Sequence, residues 1–164
     1  MISADSVPAP TSASRIADQI GRFARDHSLV IACAESLTSG AIASTLGAAP
    51  HASDWFAGGV VAYRPESKFR ALGVGVGPVV TETCARQMAW GVRRLLGADA
   101  AVAVTGVGGP GGAEGLPAGT VVIGVHARGI GTAQTHVFTG TPSEIVDQAV
   151  ERALVALMAR LRAH

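Results

Sequence analysis

Lysine is almost absent from this chain: of 13 basic residues, Lys68 alone is lysine and the others are arginine. Tyrosine also occurs once, at Tyr63, and aromatic residues make up only 4% of the sequence. Charge is sparse as well: 15% of residues are charged, and 13 basic against 12 acidic side chains leave a net charge of +1. Without a basic stripe there is no electrostatic footprint for nucleic acid, and none is expected as a partner. No apolar run reaches the roughly 18 residues of a membrane span, so no membrane partner is expected either. The five histidines (His27, His51, His126, His136, His164) fall in separate segments without ligand spacing. No metal site and no cofactor are therefore expected. The two cysteines, Cys33 and Cys84, form no CxxC pair and sit in apolar segments. They are expected as reduced core thiols of a cytoplasmic protein.

What is present is mostly apolar. Hydrophobic residues make up 48% of 164 positions, enough for one domain with a core that needs no disulfide or metal. The same apolar content favours a homo-oligomer that buries part of its surface. The opening MISADSVPAPTSASR has neither the cationic start nor the apolar stretch of a secretory leader. Residues 1–13 are expected as a disordered tail and residues 14–164 as a single domain.

Along that domain, Ile16, Ile20 and Phe23 recur at helical spacing, and LVIACA (29–34) reads as a strand buried on both faces. AIASTLG reads as a helix ending at Gly47, WFAGGVVAY (55–63) as a glycine-containing strand, and RPESKFRALG as a short helix opened by proline. In VTETCARQMAWGVRRLLG, Thr81 or Thr83 can cap a helix whose apolar face holds Met88, Val92, Leu95 and Leu96, with Gly97 ending it. DAAVAVTG (99–106) is a further buried strand, TVVIGVHA and TAQTHVFTG form a hairpin across RGIG, and a long helix starts at Pro142. His126 and His136 are expected to face each other across that hairpin. The fold class expected is α/β, a three-layer α/β/α sandwich whose mixed sheet contains one antiparallel hairpin.

In an open α/β sheet, ligands bind beyond the carboxyl ends of the strands. Two loops there have suitable residues. AESLTSG offers Glu35, Ser36, Thr38, Ser39 and Gly40; TGVGGPGG offers Thr105, Gly106 and Gly109 among other glycines. Glycines let backbone N–H groups approach an anion, yet neither loop matches a phosphate-binding P-loop. The solitary lysine is more telling. A desolvated lysine can be neutral and take a proton from a serine hydroxyl, which arginine cannot do. Ser36 and Ser53 are both candidate partners, and Tyr63 could relay or orient. Each also has a plain structural role open to it: Ser36 as a helix N-cap, Ser53 as a turn cap, Tyr63 with its hydroxyl in solvent, Glu35 as a carboxylate at a helix start, and Thr105 as a strand-end hydroxyl.

AESLTSG, SDWFAGGVVAYRPESKFRALGV, VTETCARQMAWGVRRLLGADAAVAVTGVGGPGG and PAGTVVIGV, in this order, closely resemble the C-terminal domain family of the competence/damage-inducible protein CinA. That family includes stand-alone nicotinamide-nucleotide amidases. The resemblance implies a metal-independent hydrolase that converts nicotinamide mononucleotide to nicotinate mononucleotide and ammonia, with a small-molecule nucleotide as its partner. It implies Ser53 as nucleophile, Lys68 as general base and Tyr63 as assistant to the proton transfer, with Ser36 a further catalytic residue that, like Thr105, would line the site and hold the amide or its oxyanion. Glu35, Thr38, Gly40, Thr105, Gly106 and Gly109 would bind the substrate.

Two departures stand out. Leu37 and Ser39 replace the cysteine and glycine usual in the first loop. Thr141 and Pro142 stand where an Asp-Arg pair suited to a substrate anion is common, leaving Arg64 and Arg128 as candidate substitutes. The alternative reading is therefore a module that binds a nucleotide or phosphate without turnover.

Overall fold

A computed structural model describes residues 9–163 of the chain. Of the tail expected over 1–13, residues 1–8 lie outside the described residues, while Ser12 and Ala13 belong to the first helix, which Thr11 caps, its side chain accepting from Ser14 N–H at 3.1 Å. This helix, α1 (Ser12–Asp26), presents Ala17, Ile20 and Ala24 to the core. The elements then follow as β1 (Ile31–Glu35), α2 (Ala41–Gly47), a 3-10 turn at Ala52–Asp54, β2 (Phe56–Val61), α3 (Pro65–Leu72) and α4 (Glu82–Leu95). The chain closes with β3 (Ala100–Gly106), β4 (Thr120–Ala127), β5 (Ile130–Val137) and α5 (Pro142–Arg162).

The five strands form one mixed sheet in the order β2-β1-β3-β4-β5. The β1 strand runs parallel to both β2 and β3, whereas β4 is antiparallel to β3 and to β5. Burial follows from this order. The central strands β1 and β4 are buried throughout, β2 at one edge alternates, and β5 at the other edge is largely exposed. Continuous apolar runs such as IACAE need cover on both faces, and they get it. One face carries Ile31, Cys33, Val102, Val104 and Ile123 against α1, α2 and α5. The other carries Ala32, Ala34, Ala101, Ala103 and Val122 against α4 and the end of α3. Three layers and one hairpin are as expected, and both cysteines are buried free thiols.

Two local expectations change. The hairpin turns over Arg128–Gly129 alone, both at positive φ (54° and 76°), because Ala127 and Ile130 already pair. This two-residue turn matches the strand twist better than a four-residue loop. Its register sets His136 opposite Val121 and His126 opposite Gly131, so the two histidines do not form a cross-strand pair. Gly91 serves the layer above β1: a Cβ there would collide with the Leu72 carbonyl, so glycine is what lets α4 lie against the end of α3. Among the described residues no helix is long and apolar enough to cross a membrane.

Candidate active site

The carboxyl ends of β1, β2 and β3 share one edge of the sheet, and β1 delivers two polar residues there in succession. Neighbouring strand residues point to opposite faces. Glu35 turns toward α2, where its fully buried carboxylate accepts the N–H groups of Ile42 and Ala43 at 2.8 and 3.0 Å. This replaces the side-chain cap that Gly40 cannot supply. Ser36 turns the other way, toward α3.

There it meets Lys68. Pro65 opens α3 as its first residue, and a long helical side chain near the start leans back toward the N-terminus. Lys68 Nζ accordingly reaches the Ala62 carbonyl at 2.8 Å, the Tyr63 carbonyl at 3.0 Å and Ser36 Oγ at 3.0 Å. The residue is 1% exposed, and none of its three hydrogen-bond partners is a carboxylate. Burial pushes the ammonium below its ordinary pKa of 10.5, and the nearby Cys84 thiol and Glu114 carboxylate pull more weakly the other way. The geometry serves both protonation states. As an ammonium, Lys68 donates three bonds. As a neutral amine, it keeps two donors on the carbonyls and turns its lone pair to the Ser36 hydroxyl, which then donates.

The second wall comes from β3 and two loops. Thr105 Oγ1 donates to the Val79 carbonyl at 2.9 Å, and the Glu114 carboxylate accepts the N–H groups of Val79 and Val80, both at 2.9 Å. The segment between α3 and α4 is thus pinned to the glycine loop after β3. Cys84 enters from the first turn of α4, its N–H bonded to Thr81 Oγ1 at 3.0 Å. Its thiol is pushed up to about 11 by burial, against the opposing pull of Lys68, so it is neutral at pH 7. Cavities of about 370 and 580 Å³ border this wall, the second lined by Gly77, Pro78, Val80, Thr81, Glu114 and Leu116. A groove of about 570 Å³ between β5 and α5, lined by residues that include Ile123, Val125, His136 and Arg160, lies along the β5 side of the sheet and holds none of these groups.

Residues 13–161 match the model of the CinA C-terminal domain. The chain belongs to the CinA C-terminal domain family. A CinA-like protein of Mycobacterium avium (strain 104) is 44% identical over 119 residues, which cover 69% of this chain and 27% of that protein. A CinA-like protein of Synechocystis is 41% identical over 118 residues, 67% of this chain and 28% of its own length. The chain thus spans about a third or less of the curated relatives it matches. Solved structures match far more completely. The crystal structure of a CinA superfamily protein from Klebsiella pneumoniae 700603 has a TM-score of 0.86 at 34% identity, covering 91% of this chain and 97% of that one. The competence or damage-inducible protein of Enterobacter asburiae has a TM-score of 0.89 at 29% identity, covering 92% and 99%.

Within this CinA domain the expected site residues divide into those brought together and those kept apart. Ser36, Lys68 and Thr105 gather at the carboxyl edge. Ser53 does not: it sits exposed in the 3-10 turn that precedes β2. The β1–β2 register runs from Ile31↔Phe56 to Glu35↔Val61, so Ser53 lies before the first pair while Ser36 and Lys68 lie beyond the last. At about 3.3 Å per residue, the length of β2 separates them by roughly 20 Å. The pairing of Ser53 with Lys68 is therefore corrected to Ser36 with Lys68.

Other roles shift as well. Tyr63 meets Lys68 through its main-chain carbonyl, while its side chain is 64% exposed. The Glu35 carboxylate caps α2, and the Thr105 hydroxyl spends its one donor on the Val79 carbonyl. Gly40 starts α2 at φ 101°, and Gly106 is packed against the Thr120 carbonyl within the sheet. Gly109, at φ 81°, shapes the glycine loop. Thr38 is buried, and its Oγ1 has no partner among the described residues. Ser39 takes φ 48° and donates its hydroxyl to the Ser36 carbonyl at 3.4 Å, tightening the turn after the serine. Thr141 forms a capping box with Glu144, which fills the start of α5 with the protein's own carboxylate. Arg128, in the β4–β5 turn, falls at the opposite edge from Ser36; Arg64 caps α3 on the site side and lies 3.6 Å from Glu66. Glu114 escaped sequence reasoning. Its only signal was a lone acid inside a glycine-rich loop.

Proposed function

We propose that this CinA domain hydrolyses the carboxamide of nicotinamide mononucleotide to nicotinate mononucleotide and ammonia, with Ser36 as nucleophile and Lys68 as its base. One observation carries this reading: a buried amine with no carboxylate partner lies 3.0 Å from a serine hydroxyl, its other two hydrogen bonds made to carbonyls. An amine held this way has its lone pair free for the serine proton.

Ser36 Oγ attacks the amide carbon as its proton passes to Lys68 Nζ. The tetrahedral intermediate then collapses, and Lys68 returns the proton to the departing nitrogen, which leaves as ammonia. Water attacks the resulting serine ester as Lys68 takes its proton, and Lys68 returns that proton to Ser36 Oγ as the acyl C–O bond breaks and nicotinate mononucleotide is released. The oxyanion needs fixed donors. The donors proposed here are the neighbouring N–H groups of Leu37 and Thr38, in the turn that Ser39 N–H closes on the Ser36 carbonyl and Ala41 N–H on that of Thr38.

The test is ammonia release from nicotinamide mononucleotide by the purified protein beside Lys68→Arg. Turnover by the parent, reduced by roughly 10³-fold or more in the variant, supports the amidase. Equal turnover by both removes the lysine from the mechanism. No turnover by a folded parent favours a module that binds a nucleotide without converting it.

A further inference from the structure

Glu114 occupies a backbone position that few glutamates adopt. Ala113 and Leu116 exchange N–H···O bonds of 3.0 and 2.9 Å around it, closing a two-residue turn. Its central residues, Glu114 and Gly115, have φ of 51° and 73°. A turn with positive φ at both positions favours Asn, Asp or Gly at the first, not glutamate. The side chain makes up for this by accepting two consecutive N–H groups, those of Val79 and Val80. The peptide so gripped is held from its other side too, where Thr105 Oγ1 donates to the Val79 carbonyl. The same segment is tied at its start to the reacting helix, since Val74 N–H donates to the Lys68 carbonyl at 3.3 Å.

We infer that Glu114 is a positioning residue of the Ser36–Lys68 site, its carboxylate locking the 73–80 segment, Thr105 and the glycine loop into one wall beside the lysine. The inference rests on reading Ser36 and Lys68 as the reacting pair. Because both carboxylate oxygens are occupied by backbone donors, Glu114 acts on the site through the segment it holds and through its charge. The groups that face the Lys68 amine are the Ser36 hydroxyl from β1, the Ala62 and Tyr63 carbonyls from the β2–α3 link, the Cys84 thiol from α4 and the Glu114 carboxylate. Of these, Glu114 is the acidic side chain. Burial pushes the lysine toward the neutral form, and Glu114 moderates that push.

The solitary lysine permits a test that needs no turnover. Lysine-selective isotope labelling gives one side-chain resonance, and its titration reports Lys68 directly. E114Q keeps the side chain's size, and E114G suits the positive φ. Both are expected to fold and to melt below the parent, since each gives up the carboxylate that holds the Val79 and Val80 N–H groups; in E114G the relief of the positive φ offsets part of that loss. In both, the Lys68 titration should move to lower pH and hydrogen exchange at the Val79 and Val80 amides should speed up roughly tenfold or more. If the parent hydrolyses nicotinamide mononucleotide, kcat should fall by roughly tenfold to a hundredfold in E114G, the scale of a misplaced active-site wall. Folded variants with an unchanged Lys68 titration and unchanged exchange would overturn the inference and leave Glu114 as a turn residue. A parent without amidase activity but with both shifts would refute the proposed reaction while upholding the role of Glu114.

Discussion

At the scale of single residues, the proposed reaction gives the chain's one lysine a chemical reason. Lys68 is buried and bonded to two carbonyls, and the proposed reaction asks in addition that it lose a proton. Arginine cannot meet that last requirement. The lowered pKa of Lys68 fixes the sign of the pH dependence. Below its folded pKa the amine is protonated and cannot accept from Ser36; above it, the amine is competent. The rate of ammonia release at low substrate should therefore rise with pH along a single limb whose midpoint lies below 10.5, the ordinary lysine value. A profile flat from about pH 6 to 9 would contradict a lysine base that titrates in that window.

At the scale of elements, β1 divides structure from chemistry between consecutive residues. Glu35 and Ser36 look alike in sequence, as two polar residues after an apolar run. Strand alternation sends the first to hold α2 and the second to meet α3. Replacing Glu35 with alanine should thus lower stability by about 2–3 kcal/mol, because two helix-start N–H groups lose their acceptor in a buried setting. Urea unfolding would measure that cost. Any variant that remains folded should keep a KM close to the parent's, since the carboxylate is turned away from the reacting pair. A large rise in KM without loss of stability would place Glu35 in the substrate site after all.

The order of elements was legible from periodicity and punctuation: buried runs at 29–34 and 99–106, a capped helix ending near Gly97, and proline at the starts of α3 and α5. Lys68 was legible through rarity and chemistry. The partner serine was not. Nothing in HASDWF marks it as belonging to the amino end of β2, and only the parallel register reveals that Ser53 and Lys68 bracket a whole strand. Glu114 was hidden for a related reason: its importance lies in hydrogen bonds to residues 34 and 35 positions earlier. The Tyr63 side chain attracted attention although its carbonyl makes the contact, a distinction that residue identity alone does not carry.

At the scale of the whole molecule, the sheet gathers the proposed reacting groups at one edge. Two parallel crossovers, β1 to β2 through α2 and β2 to β3 through α3 and α4, return the chain so that Ser36, the start of α3 and Thr105 emerge together. The two helical layers bury the central strands between them, and the Lys68 amine, buried with them, is desolvated. The account's central claim is that this edge, and not the opposite one, holds the nucleophile. The most direct measurement is ammonia release from nicotinamide mononucleotide by Ser36→Ala beside Ser53→Ala, with folding of each verified by thermal melting. The account predicts a loss of roughly 10³-fold or more for Ser36→Ala and activity within about threefold of the parent for Ser53→Ala. An inactive Ser53→Ala with a fully active Ser36→Ala would contradict it.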